Sequence, residues 1–230
     1  MPSQDPVVER LIRGYGYTIA DQIGAAPVRA RGPELFEILC SSLLSARRID
    51  QWSALAAWLA MRERGWSTPD RLSLAPWKQR VRLLDGTGYI RSPERMSFSL
   101  GAMADTIGDR YEGDLGDLRD RAGRDPAIER ELLMGLKGVS SQVVDVFFRE
   151  VQLAWDELFP FADERVLEAA AHMKLPTDAQ ALADLSGRDR YPKLVAALAH
   201  VGRVNAFHTL NDEGRPRLVD LREPVGHSAR

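Results

Sequence analysis

Cysteine is almost absent from this chain of 230 residues, with Cys40 standing alone. A single thiol cannot close a disulfide within the chain, and it excludes a four-cysteine zinc or iron–sulfur site. Its setting, Leu35-Phe36-Glu37-Ile38-Leu39-Cys40, is an apolar helical run, which predicts a buried small hydrophobe. Lysine is scarce too: only Lys78, Lys137, Lys174 and Lys193 stand among 31 basic residues, so arginine carries nearly all the positive charge. Any amine nucleophile therefore has four candidates. Codon bias gives such a composition, and so does phosphate contact by planar, multi-donor guanidinium groups. No apolar run approaches membrane-spanning length, and Met1-Pro2-Ser3-Gln4-Asp5 lacks a signal-peptide pattern. A cytoplasmic protein without a membrane partner is expected. The net charge of −2 carries no bulk basic signal, but nucleic-acid affinity depends on where the basic groups sit.

What is present is helical nearly throughout. A hydrophobic content of 44% in a chain of this length supplies one large core or two small ones. Pro33 opens a run to Ala46 with Leu35, Phe36, Leu39, Leu43 and Leu44 at helical spacing. Asp50 is placed to cap the next helix, which carries Leu55, Trp58, Leu59 and Met61. Shorter helices are predicted at Thr68–Leu74 and Pro76–Leu84. Gly86-Thr87-Gly88 marks a turn, and Ser92 is placed to cap a long helix ending near Tyr111. Pro126 suits the first position of a helix to Met134, and another is expected from Ser140 to about Leu153. Beyond Pro160, helices are predicted from Asp163 to Met173, from a Thr177 cap to Leu185, and from Tyr191 to about Asn205. The Arg- and Pro-rich end from about Gly214 is expected to be partly disordered. No strand, repeat or low-complexity segment is read, so the fold class is all-α.

One stretch carries more than packing information: Leu136-Lys137-Gly138-Val139-Ser140-Ser141-Gln142-Val143-Val144-Asp145. A glycine-centred turn between two helices presents backbone N–H groups at a helix start, where a phosphate can be held. Asp163 follows Gln142 on the next helix. Taken by residue type alone, Asp163 is most simply a helix cap.

This stretch resembles the helix-hairpin-helix and catalytic-aspartate region of the endonuclease III superfamily of base-excision DNA glycosylases, which typically reads Leu-Pro-Gly-Val-Gly-x-Lys-Thr-Ala. Three further segments resemble that family in the same order. Leu43-Leu44-Ser45-Ala46-Arg47-Arg48-Ile49-Asp50 resembles its Leu-Leu-Ser-Ala-Gln-x-Thr-Asp. Gly88-Tyr89-Ile90-Arg91-Ser92-Pro93 resembles a Gly-Leu/Tyr-x-x-Ser turn. His200-Val201-Gly202-Arg203 resembles the His-Gly-Arg run before the family's iron–sulfur loop. Together they cover about residues 33 to 206.

The resemblance implies a two-domain helix-hairpin-helix glycosylase fold with a cleft: a six-helix domain over 33–149, a second helical domain from 1–32 and 150–213, and a tail over 214–230. It implies a monomer on double-stranded DNA, associated with the nucleoid. Asp163 takes the catalytic role, stabilising charge on the sugar or accepting a proton from water. Gly138, Val139 and Ser140 hold phosphate, and Gln142 contacts the nucleotide or shapes the pocket. Arg47 and Tyr89 fill the hole left by the extruded base, or are a solvated arginine and a packing residue.

Departures from the pattern narrow the reaction. Gln142 stands where bifunctional members carry their Schiff-base lysine, and an amide cannot form that adduct. A monofunctional glycosylase is expected, leaving an abasic site, with Lys137 a poor substitute nucleophile by position. Ala206 falls where the first cluster cysteine would be, so no iron–sulfur cluster and no metal are expected, although the resemblance allows a monovalent cation at the hairpin carbonyls, where related proteins hold one. Ser140 replaces the second hairpin glycine and strains the turn if that position needs a positive φ. Ser41 stands on the helix where the adenine-removing branch has a glutamate, which argues against that branch. His172, His200, His208 and His227 have no metal-ligand spacing. Trp52, Trp58, Trp66 and Trp77 are read as core, and Trp155 as core or pocket lining. The rival readings are a non-catalytic DNA-binding protein on the same scaffold and a helical protein-interaction domain.

Overall fold

The structure is a computed structural model that describes residues 5–25, 28–46, 51–89 and 92–204. Among these residues there are helices and no strand. In chain order the α-helices are α1 (Pro6–Tyr15), α2 (Ile19–Ile23), α3 (Pro33–Ser45), α4 (Gln51–Glu63), α5 (Pro69–Leu74), α6 (Trp77–Gly86) and α7 (Pro93–Tyr111). They continue with α8 (Leu115–Arg121), α9 (Pro126–Met134), α10 (Ser141–Val151), α11 (Glu164–His172), α12 (Ala179–Ser186) and α13 (Tyr191–Val204). Asp156–Leu158 and Arg188–Arg190 form short 3-10 turns. No described helix is long and apolar enough to cross a membrane.

Packing divides the chain into two compact units, one continuous over Thr18–Phe161 and one made from Met1–Tyr17 with Ala162–Arg230. The continuous unit is wider than the expected span of 33–149 because both flanks are tied into it. Ala20 N donates to Glu150 Oε2 at 3.0 Å, and the Trp155 indole N–H donates to Ala30 O at 3.2 Å. Ala20 and Ile23 also bury their side chains in that unit's core.

The larger unit is built around α3. Its apolar residues occupy more than one stripe, so Leu35, Phe36, Ile38, Leu39, Cys40, Leu43 and Leu44 are all buried. A helix that is apolar on most sides belongs at the centre of a domain. The burial pushes the Cys40 thiol pKa up, which keeps it neutral and inert. Against α3 lies α10, a cleaner amphipathic helix whose Val143, Val144, Phe147, Phe148 and Val151 face inward. Each such aromatic contributes about 1.5–3 kcal/mol by leaving water.

Several caps differ from those the sequence suggests. Ser92 precedes α7 with φ 55° and makes no side-chain cap bond. Asp178, rather than Thr177, caps α12 by accepting from Ala181 N at 2.9 Å. The seven-residue α8, capped by Asp114, was not anticipated. Asp50, Arg47 and the segment from Asn205 lie outside the described residues.

The smaller unit packs α1 and α11 against α13. Arg190 pairs with Glu9 at 2.7 Å, and Tyr15 stacks on His200 with ring centroids 5.3 Å apart. Burial, with the nearby Arg203, pushes the His200 pKa down. His200 is thus a packed, neutral ring, and His172 is exposed.

Candidate functional site

The hairpin of the larger unit joins α9 to α10, and its geometry depends on one residue. Gly138 has φ +86°, and a Cβ there would lie 2.7 Å from both Cβ and Oγ of Ser99 on α7. Backbone conformation and close approach therefore both demand glycine. The turn closes with Val139 N donating to Leu136 O at 3.2 Å, so that N–H is spent inside the hairpin. Val139 is 7% exposed and acts as the buried anchor of the turn. Ser140 has φ −102° and ψ 168°, ordinary extended backbone, so the replaced glycine introduces no strain.

Ser140 occupies the cap position of α10 without a side-chain cap bond, and the first turn of α10 carries no acidic residue. Among the described residues, the positive end of the helix and its N–H groups meet no carboxylate. Exposed Lys137 sits beside this opening with its ammonium 5.6 Å from the ring centre of Phe98, a residue 55% exposed on α7. Arg130 spans the hairpin from α9, donating to Ser141 Oγ at 3.1 Å and pairing with Asp145 at 2.8 Å. Its guanidinium lies 5.1 Å above Phe148, which fixes α9 and α10 around the turn. An inward-facing Phe148 and a charged Asp145 three residues before it were visible in the sequence, but their arginine partner was not.

Gln142 is half-buried in the first turn of α10, and its amide has no hydrogen-bond partner among the described residues. Tyr89 is a correction. Its side chain is fully buried, with the hydroxyl 3.4 Å from Leu44 O, so as placed it is a core residue with no face for a base. Trp155 is likewise fully buried, edge-on to Phe147 at 5.5 Å, and is a core residue as placed. Trp52 and Trp77 depart in the other direction, being 49% and 43% exposed.

In the smaller unit, Asp163 is half-buried at the start of α11. Its Oδ1 accepts from Arg165 N at 3.1 Å and Val166 N at 3.4 Å, so the capping role is realised.

A feature the linear sequence hid is a shallow, open recess between α2, α3 and α4. Gln22, Ser41 and Ser45 give it a polar side, and Ile19, Ile23 and Leu55 an apolar one. The Ser41 hydroxyl is buried and lacks a partner among the described residues. An orphaned buried hydroxyl is uncommon and points to a partner supplied from outside. Ser41 and Ser45 are one turn apart on α3, whereas Leu43, which lies 3.6 Å from the Cβ position of Gly138, is on another face of that helix. Thus α3 stands between hairpin and recess.

Nothing here fits a metal cluster of thiolates, since Cys40 is the single cysteine and is buried. No group of three or more His, Cys, Asp or Glu among the described residues is arranged to hold a metal ion.

No family model matches the chain, and no curated protein matches it. Among solved structures, the chain is similar to a trapped endonuclease III–DNA covalent intermediate, an estranged-adenine complex. The likeness has a TM-score of 0.50 at 17% identity and covers 89% of this chain and 88% of that one. The two share an all-α fold over nearly their whole lengths.

Proposed function

We propose that this protein binds double-stranded DNA and acts as a monofunctional DNA glycosylase on a damaged or mispaired base. The observation that carries the reading is the uncapped, carboxylate-free start of α10 behind a turn that only glycine can make. Such a helix start holds a backbone phosphate without reading sequence. The shared fold supports the same reading, because the similar endonuclease III chain is itself covalently joined to DNA.

On this reading Gly138 and Ser140 hold phosphate, with Val139 anchoring the turn and Lys137 adding charge. The target base leaves the stack at a cost of a few kcal/mol. Water adds to the sugar C1′, the N-glycosidic bond breaks, and the base departs carrying the bonding pair and gains a proton. Asp163 stabilises the positive charge on the sugar or takes the proton from that water. Gln142 cannot form a Schiff base, so the strand is left intact at an abasic site.

The test is an excision panel. Duplexes each carrying one lesion (uracil, hypoxanthine, oxidised pyrimidines, alkylated purines, 8-oxoguanine or a mismatch) are incubated with the protein and with Asp163→Asn. Strands are read with and without alkali. Asparagine caps a helix about as well as aspartate, so the variant keeps α11 and loses only the carboxylate. Alkali-dependent cleavage abolished in the variant is the expected result. Cleavage without alkali would move the chemistry to an amine such as Lys137. Salt-sensitive duplex binding with no cleavage of any duplex would establish the non-catalytic binder in its place.

A further inference from the structure

The segment that leaves α10 and ends the larger unit is held by side chains from several helices. Gln152, fully buried, donates from its amide to Arg149 O at 3.0 Å and accepts from Phe161 N at 2.9 Å. Phe161 meets Phe148 edge-on at 5.5 Å. Between these points lies the Asp156–Leu158 turn, gripped by Arg119 of α8. Arg119 Nε donates to Glu157 Oε1 at 2.5 Å, and its Nη2 reaches both Glu157 Oε2 and, at 2.9 Å, Asp156 Oδ1.

Glu129 of α9 completes this row and is fully buried. Its carboxyl faces Glu157, and neither of its oxygens has a hydrogen-bond donor among the described residues. The charged groups facing it are Arg119 from α8, Glu157 from the 3-10 turn and Asp125 from the start of α9. Arg119, the one cation among these described groups, is already committed to Glu157 and Asp156. Two carboxylates in contact away from water cannot both ionise, so the pair keeps one proton.

We propose that Glu129 is held as the neutral acid and donates its proton to Glu157, so that Arg119, Glu157 and Glu129 form a proton-dependent clamp on the Asp156–Phe161 segment. Raising the pH removes the shared proton and opens the clamp. Burial, reinforced by the hydrogen bond and charge of Glu157, pushes the Glu129 pKa up to about 8. Burial also raises Glu157, but the hydrogen bonds from Arg119 and Glu129 outweigh it and hold Glu157 below the ordinary carboxylate range. The sign follows directly. The folded chain keeps a proton that the unfolded chain gives up near 4.5, so this stability is fully present below that pH and is lost as pH rises to about 8.

The test compares the full-length protein with Glu129→Gln, which preserves shape and an N–H donor but cannot ionise. Side-chain carboxyl NMR should find one glutamate titrating near pH 8, its signal absent from the variant. Amide hydrogen exchange over residues 156–161 should accelerate in the wild type, relative to the variant at each pH, as the pH passes through that range. Between about pH 5 and 8 the wild-type folding constant should fall about tenfold more per pH unit than the variant's. Glu129 titrating with the ordinary carboxylates, or identical pH dependence in both proteins, overturns the proposal. The NMR titration needs only the wild type, so it decides the matter even if Glu129→Gln folds poorly.

Discussion

Two helix starts in this chain solve the same problem in opposite ways. α11 begins with Asp163, whose carboxylate accepts from two backbone amides, and Glu164 follows in its first turn. The positive end of that helix is already answered by protein charge. α10 begins with Ser140, whose hydroxyl caps nothing, and no acid follows in its first turn. Helix starts left this way cost roughly 1 kcal/mol against a capped one. The difference is that one helix start keeps its own carboxylate and the other, among the described residues, does not.

The comparison can be broken most severely at Asp163. Asp163→Asn should reduce base release by on the order of 10²–10³-fold, the scale of a lost electrostatic stabiliser, with melting almost unchanged. Gly138→Val should cost about 2 kcal/mol or more in denaturant unfolding, because φ +86° and Ser99 both oppose a side chain. Ser140→Asp makes the open start resemble the closed one. It should stabilise the protein by about 1 kcal/mol while weakening duplex binding about tenfold at low salt, opposite signs that a general folding defect cannot produce. Lys137→Ala should lower affinity and reduce the slope of log affinity against log salt by about one. Asp163→Ala, lacking the cap, should lose about 1 kcal/mol that Asp163→Ser recovers almost fully.

The hairpin was legible because its information is local. A glycine between two helical patterns, with Val139 and Val143 apolar around it, specifies turn, anchor and helix start within a few residues. The capping role of Asp163 was legible for the same reason. Tyr89 and Trp155 were not, because an aromatic in a loop reads alike whether it stacks on a ligand or fills a core. Only the arrival of α3 beside Tyr89 and Ala30 beside Trp155 decides the matter. Gln22, Ser41 and Ser45 were missed as a group because two separate helices, α2 and α3, bring them together. Ser92 and Thr177 failed as caps since capping depends on backbone angles that residue type only biases.

The bond from Ala20 N to Glu150 and that from Trp155 to Ala30 each join residues more than a hundred positions apart. In topological terms they sew the entry of the continuous unit to its exit, so Thr18–Phe161 is an insert between the two strands of chain that build the smaller unit. Such an insert can be cut free at both seams with little loss to its own core. The excised piece would carry the open helix start, the recess and the proton clamp, but not Asp163. On the proposed function it should hold duplex DNA and release no base.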